Sequence, residues 1–273
     1  MDLMDRTALI TGGSRGLGRT VAGFLAAQGY GLIITARGDE ELAAAERELR
    51  RHGGRVTALA GDVADPAHRR RLAEAARSVG GMGRLDLLFN NASTLGATPL
   101  PPLAGYPLDV LEEAFRVNVA APIALVREVL PLLTASGGLV VNISSDAARG
   151  GYPGWGGYGL TKAALDLASA TLANELPGIG VVAVDPGDLH TRMHRDAFPG
   201  EDISDRPLPE VTLPFWAWLF GQPRAAVTGR RYRAQDDRWE VNVAAAPRCP
   251  PRDAPSRHAS WTPSAPRESP WPA

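Results

Sequence analysis

Short apolar runs alternate with amphipathic stretches along most of this chain. Thr7-Ala8-Leu9-Ile10-Thr11 and Leu139-Val140-Val141-Asn142-Ile143 are typical of the runs. Segments this short, apolar at odd and even positions alike, suit strands covered on both faces. The pattern predicts strands near 7–11, 31–36, 55–60, 85–90, 138–144, 179–185 and 227–232. Between them apolar residues recur three and four apart, as in Val21, Phe24 and Leu25. That spacing predicts helices near 16–28, 39–52, 66–79, 109–134, 158–176 and 208–220. Alternating strands and helices imply an α/β fold, a parallel sheet with right-handed crossovers and helices on both faces. Ligands then bind beyond the carboxyl ends of the strands.

The pattern stops near Ala244. From there to Ala273 eight of thirty residues are proline, too many for a helix or a ladder. The expected organisation is one domain over 1–243 and a disordered Pro-rich tail over 244–273, with Trp261 and Trp271 as its only large docking groups.

Composition narrows the function classes. With 273 residues and 44% hydrophobic content, one large core is easily built. A formal net charge of -1 leaves no electrostatic footprint for nucleic acid or an anionic membrane. The apolar runs fall short of a bilayer span, and Met1-Asp2-Leu3-Met4-Asp5 is acidic, unlike a signal peptide. The single cysteine, Cys249, rules out an intrachain disulfide. A cytoplasmic protein is expected.

Chemistry enters with one residue. Of 29 basic residues only Lys162 is lysine, and it stands four after a tyrosine in Tyr158-Gly159-Leu160-Thr161-Lys162. Arginine does not replace a compact ammonium with rotatable donors. Four residues apart on a helix, ammonium and phenol share a face. A neighbouring cation is expected to lower the tyrosine pKa and make it a usable acid-base. At the start of the chain, strand 7–11 runs into Gly12-Gly13-Ser14-Arg15-Gly16-Leu17-Gly18 and a helical pattern. Such a turn lets a pyrophosphate approach the backbone at a helix N-terminus.

The two motifs at this spacing resemble the short-chain dehydrogenase/reductase family, and the likeness runs from about Thr7 to Val243. Gly61-Asp62-Val63 resembles the family's adenine-contacting turn. Asn90-Asn91-Ala92 resembles its N-N-A-G element, with Ser93 where glycine is usual. Asn118 matches a helix asparagine. Ser145 precedes Tyr158 by thirteen residues, as in the family, and Pro186-Gly187-x-x-x-Thr191 resembles its cofactor loop.

The resemblance implies a Rossmann-type doubly wound sheet and an oxidoreductase acting on a small carbonyl or alcohol substrate. It implies catalytic roles for Asn118, Ser145, Tyr158 and Lys162. Asn118 would anchor a water linking Lys162 to solvent. Cofactor contacts would come from Gly12, Ser14, Arg15, Gly16, Leu17, Gly18, Arg37, Asp62, Val63, Asn90 and Ala92. Tyr158, Lys162, Pro186, Gly187, Leu189 and Thr191 would complete them. A homodimer or homotetramer built on the helices near 109–134 and 158–176 is also implied.

Charge points to NADP(H). The second strand ends Thr35-Ala36-Arg37 with no acid before Asp39, and Arg15 is placed to meet the same 2′-phosphate. Two alternatives stay open: a 3-oxoacyl-thioester (carrier protein) reductase and a non-catalytic NADP-binding redox sensor. Carrier reductases commonly place an arginine where this chain has Asn174, and sensors usually lose part of the tyrosine–lysine pair. His190 and His194 read as loop histidines rather than metal ligands, and Asp185 as a strand-end residue. Phe215, Trp216, Trp218 and Phe220 suit either a pocket roof or core packing. Residues 188–210 are expected to form a mobile loop over the substrate.

Overall fold

The computed structural model describes residues 6–79 and 83–239, so the expected tail lies outside the described residues. Seven strands form one sheet: β1 Thr7–Thr11, β2 Gly31–Ala36, β3 Val56–Ala60, β4 Leu87–Asn90, β5 Leu139–Ile143, β6 Gly180–Asp185 and β7 Arg231–Arg233. Their order is β3-β2-β1-β4-β5-β6-β7, and every pairing is parallel. The chain winds outward from β1 in one direction, then returns to start β4 on its other side. A crevice therefore opens at the carboxyl ends of β1 and β4.

Alternation along the strands divides the core into two layers. Ala8, Ile10, Ile34, Phe89, Val141 and Val184 face one layer. It is covered by α1 (Gly16–Ala27), α2 (Asp39–Leu49) and, later in the chain, the aromatic helix Leu213–Gly221. Leu9, Ile33, Leu88, Val140 and Val181 face the other layer, against α3 (Pro66–Val79) and the helix Ala121–Ser136. Each fully buried aliphatic side chain there contributes about 1.5–3 kcal/mol.

The helix expected near 109–134 comprises α4 (Leu108–Phe115), a π-helical turn (Arg116–Ala120) and α5 (Ala121–Ser136). One sequence expectation is corrected here. Leu108–Ser136 is 29 residues and contains an 18-residue stretch with a mean hydropathy of 1.5, long and apolar enough to cross a membrane by length and composition. Its apolar side lies on the sheet through Leu125, Val129 and Leu133. Glu112, Glu113, Arg116 and Arg127, which break the run in sequence, are exposed on the opposite side.

The remaining helices are α6 (Ala147–Gly150), α7 (Gly156–Glu175), α8 (Arg192–Ala197), α9 (Leu213–Gly221) and α10 (Arg224–Val227). Two further expectations change. The last strand is Arg231–Arg233 rather than 227–232, because Pro223 opens the short helix α10 and Gly229 turns at φ 76 before pairing begins. Within 188–210 the chain forms α8, whose first turn is capped by Thr191 Oγ1 accepting from His194 N at 3.4 Å.

Candidate active site

The carboxyl ends of β1 and β4 are stitched together before any ligand is considered. Thr11 Oγ1 accepts from the N–H groups of Asn91 and Ala92, both at 3.0 Å. Asn91 Nδ2 donates to the carbonyl oxygens of Thr11 and Gly12 at 3.0 and 3.1 Å. This holds the turn Gly12–Gly18 open as a bare backbone cradle. Gly12 adopts φ 67, and a Cβ at Gly18 would stand 2.2 Å from the Gly12 carbonyl oxygen. No side chain caps α1, so its first N–H groups are left for a ligand. A pyrophosphate at this helix start fits both the space and the dipole.

The cradle forms the floor of a cleft of about 1660 Å³, larger than the pockets that hold single drug-sized ligands. Gly12, Ser14, Arg15, Gly16, Leu17, Arg37, Asp62, Val63 and Ala92 line it, as do Ser145, Tyr158, Lys162, Pro186, Gly187, Leu189 and Thr191. Three expected residues stand back from its surface. Gly18 packs behind the cradle. Asn90, the last residue of β4, pairs in register with Asn142 and donates to its Oδ1 at 2.8 Å. Asn91 takes the place in the cleft expected of Asn90, and the alternation of side chains at a strand end is the signal that distinguishes them.

Asn118 is the third. It sits in the π turn, 1% exposed, and its amide is fully engaged. Oδ1 accepts from Ser93 Oγ at 3.1 Å and Thr94 N at 2.8 Å. Nδ2 donates to Thr94 O and Thr161 Oγ1 at 2.8 and 2.9 Å. The side chain thus fixes the Ser93–Thr94 segment to α7.

Tyr158 and Lys162 lie on the buried face of α7. Lys162 Nζ donates to the carbonyl oxygen of Ile143 at 2.7 Å and stands 5.4 Å from the centre of the Tyr158 ring. Burial lowers its pKa to about 8, with Asp166 opposing, so it remains cationic at neutral pH. The expectation that this cation lowers the Tyr158 pKa is corrected: burial pushes the phenol up. The hydroxyls of Ser93 and Ser145 oppose the shift, and the charges of Asp185 and Asp146 add to it. Spacing brought the lysine to the right face, but its ammonium is directed at the end of β5 instead of the phenolic oxygen. The phenol therefore keeps its proton across the neutral range and is available as a donor.

Ser145 follows β5 by two residues. Its Oγ donates to Asp146 Oδ1 at 3.1 Å, and its main-chain oxygen accepts from Arg231 Nη2 at 2.7 Å. Trp155 meets Tyr158 edge-on at 5.8 Å between centroids and Phe198 at 5.7 Å. With Leu95 and Met193 these rings give this end of the cleft an apolar wall. Trp155, Phe198 and Ser93 carried no sequence reading as wall residues.

At the opposite end, Arg37 is exposed and joins no ion pair among the described residues, whereas Arg15 pairs with Glu41 at 3.2 Å. Phe215 and Trp216 are fully buried against Phe89 and Tyr232. Phe215 and Trp216 are therefore core, not pocket roof. Asp185 is a buried strand-end residue, accepting from Gly187 N at 3.0 Å. No group of metal-ligating side chains is present among the described residues.

Comparison with known proteins agrees with this geometry. The family model for short chain dehydrogenases matches residues 6–202. The uncharacterized oxidoreductase YciK of Escherichia coli is 31% identical over 239 residues, 86% of this chain and 94% of its own. The rhamnolipids biosynthesis 3-oxoacyl-(acyl-carrier-protein) reductase of Pseudomonas aeruginosa is 36% identical over 232 residues, 81% and 86% of the two chains. A short chain dehydrogenase structure from Shigella flexneri, complexed with NADP, has a TM-score of 0.79 at 31% identity. That match covers 86% of this chain and 99% of the other.

Proposed function

The chain belongs to the short-chain dehydrogenase family, and on that premise we propose that it transfers hydride between NADP(H) and a small or medium ketone or aldehyde, or the corresponding alcohol. The observation that carries this reading is the pair Tyr158 and Lys162, buried on one face of α7 beside the glycine cradle. When bound, the nicotinamide supplies the hydride. Tyr158 donates its proton to the oxygen that becomes an alkoxide, a role supported by the protonated state that burial imposes on it. Ser145 turns its hydroxyl from Asp146 to the same oxygen and stabilises the charge forming there. Lys162 holds the nicotinamide ribose and keeps a positive charge beneath the phenol ring as the proton leaves. Asn118 keeps the segment facing these groups in place.

NADP(H) is preferred over NAD(H) because Arg37 and Arg15 both line the adenosine end of the cleft and suit a 2′-phosphate. The apolar wall of Leu95, Trp155, Met193 and Phe198 favours an apolar substituent on the carbonyl. Similarity to the Pseudomonas aeruginosa reductase favours a second reading, a 3-oxoacyl-thioester substrate on a carrier protein. Against it, the last turn of α7 has no basic residue and exposes Asn174 and Glu175, a poor landing for an acidic carrier. Exposed Leu108, Ile123, Leu160 and Leu167 on α4, α5 and α7 support self-association through these helices. A cytoplasmic location accords with the apolar face of α5 being buried on the sheet.

A panel of free ketones, aldehydes and 3-oxoacyl thioesters, followed by loss of NADPH absorbance, tests the reading. Turnover of free carbonyl compounds supports it. Turnover confined to carrier-linked thioesters replaces it with the second reading, and NADPH binding with no turnover of any compound supports the redox sensor.

A further inference from the structure

Asp146 brings a carboxylate to the place where an alkoxide is to form. Its Oδ1 accepts from Ser145 Oγ at 3.1 Å, and it lines the cleft with Ser145 and Tyr158. It stands at the N-cap of α6 yet makes no side-chain capping bond; the Ala147 N–H donates to Ser145 Oγ instead, at 3.2 Å. Asp146 is exposed and joins no ion pair among the described residues, whereas Arg231 and Arg233 on β7 pair with Asp166, Asp185 and Asp236. The Tyr152 phenol, pushed up chiefly by Asp146, is a neutral neighbour and leaves the charge in place. For a neutral carbonyl substrate this is a handicap. The hydroxyl that should stabilise the forming alkoxide lies one hydrogen bond from an anion, and like charges so close repel.

A cation on the substrate removes the handicap. The residue after Asp146 already belongs to the apolar wall: Ala147 clusters with Leu95 and Tyr158, and Trp155, Met193 and Phe198 pack against them. The cleft thus sets one carboxylate at the edge of an aromatic surface, a combination that suits an apolar group bearing an ammonium. We propose that Asp146 selects amino ketones: its carboxylate binds an ammonium on the carbon next to the carbonyl, while Trp155 and Phe198 hold the apolar part. The proposal rests on the reading of Ser145 and Tyr158 as the groups that meet the substrate oxygen. When Ser145 turns to that oxygen, Asp146 exchanges a neutral donor for a charged one, and the ammonium stands beside both carboxylate and alkoxide. Adjacent carbons give the right reach, because Ser145 Oγ is only 3.1 Å from Asp146 Oδ1. The carbonyl carbon gains the hydride and its oxygen the Tyr158 proton, giving an amino alcohol; no bond to nitrogen changes.

The test is reduction by NADPH of two phenyl ketones of nearly equal size, 2-aminoacetophenone and propiophenone, at a pH where the amine is protonated. In the full-length wild type, kcat/KM for the amino ketone should exceed that for propiophenone about tenfold or more, the effect of one charged hydrogen bond. An ammonium also activates the carbonyl it adjoins, so the variant decides. Asp146→Asn keeps the shape and removes the charge. It should shrink the ratio about tenfold, by lowering kcat/KM for the amino ketone and raising it for propiophenone. Asp146→Glu, which keeps the charge, should keep most of the preference. If Asp146→Asn fails to fold, Asp146→Ser gives the same comparison. Equal kcat/KM for the two ketones in the wild type, or an unchanged ratio in Asp146→Asn, overturns the proposal. If neither ketone is reduced while other free carbonyl compounds are, only the role of Asp146 falls; if no free carbonyl compound is reduced, the hydride-transfer reading falls with it.

Discussion

Arg231 Nη2 donates to the main-chain oxygen of Ser145 at 2.7 Å, and the same guanidinium donates from Nε to Asp166 Oδ2 at 2.8 Å. One half-buried fork on β7 thereby ties the catalytic serine proposed here to α7, which carries Tyr158 and Lys162. Its Nη2 also lies 3.4 Å from Asp185, whose side chain is 3% exposed.

Arg231→Leu should therefore act in two ways. Asp166 would lose its partner and Asp185 would keep only Arg233, 3.9 Å away, which should cost about 1–3 kcal/mol; a urea melt measures this. Turnover should also fall through misplacement of Ser145. In a Ser145→Ala background the same change should lower kcat little further, because the two act as one unit. Full additivity in kcat would mean that Arg231 serves folding alone.

Cofactor preference should follow Arg37 more than Arg15. A 2′-phosphate must compete with Glu41 for Arg15, whereas Arg37 has no ion pair to break among the described residues. A charged hydrogen bond contributes about 1.5–3 kcal/mol before solvent at the cleft edge reduces it. Arg37→Asp should lower the ratio of NADPH to NADH affinity about tenfold or more. The change should appear in Kd and KM, with kcat for NADPH nearly kept, since the phosphate is remote from the hydride. An unchanged ratio would remove the charge argument for NADP.

Stability should decline on mild acidification through His68. This ring is buried beneath Gly61, with Nε2 2.7 Å from Thr35 Oγ1 and Arg71 Nη2 3.1 Å from Nδ1. The arginine can only donate, so the neutral ring carries its proton on Nε2. Burial, then the Arg71 charge, holds the pKa below the ordinary 6.5. In the window between that lowered value and 6.5 the unfolded chain binds the extra proton, so stability is full above about 6.5 and falls below it. His194, lowered by burial too, adds to the slope. Urea melts between neutral pH and mild acid should show a smaller decline in His68→Gln, and an equal decline would assign the effect elsewhere.

Much of the fold and the cleft floor was legible from local pattern. Five-residue apolar runs such as Thr7–Thr11 have one stable use in a doubly covered sheet, and the glycines from Gly12 to Gly18 permit a backbone approach that other residues block. What escaped depended on direction or on distant partners. Asn90 and Asn91 are the same residue type side by side, and only the pleat of β4 decides which one reaches the cleft. Val227 reads as a strand residue until Pro223 and Gly229 are seen to bound a helical turn. Lys162 was recognisable as special, but its target, the Ile143 carbonyl, is set by how α7 lies across β5. Ser93 and Trp155 acquire meaning only from Asn118 and Phe198, far away in the chain.

The most direct measurement of the central claim is single-turnover reduction of a good carbonyl substrate by NADPH in Tyr158→Phe, beside NADPH affinity measured by fluorescence titration. The phenyl ring keeps the contact with Trp155 and the position over Lys162, and only the proton donor is lost. The account predicts wild-type NADPH affinity with hydride transfer slowed at least a hundredfold, within the range that a positioned acid contributes. Hydride transfer at the wild-type rate in Tyr158→Phe would contradict it.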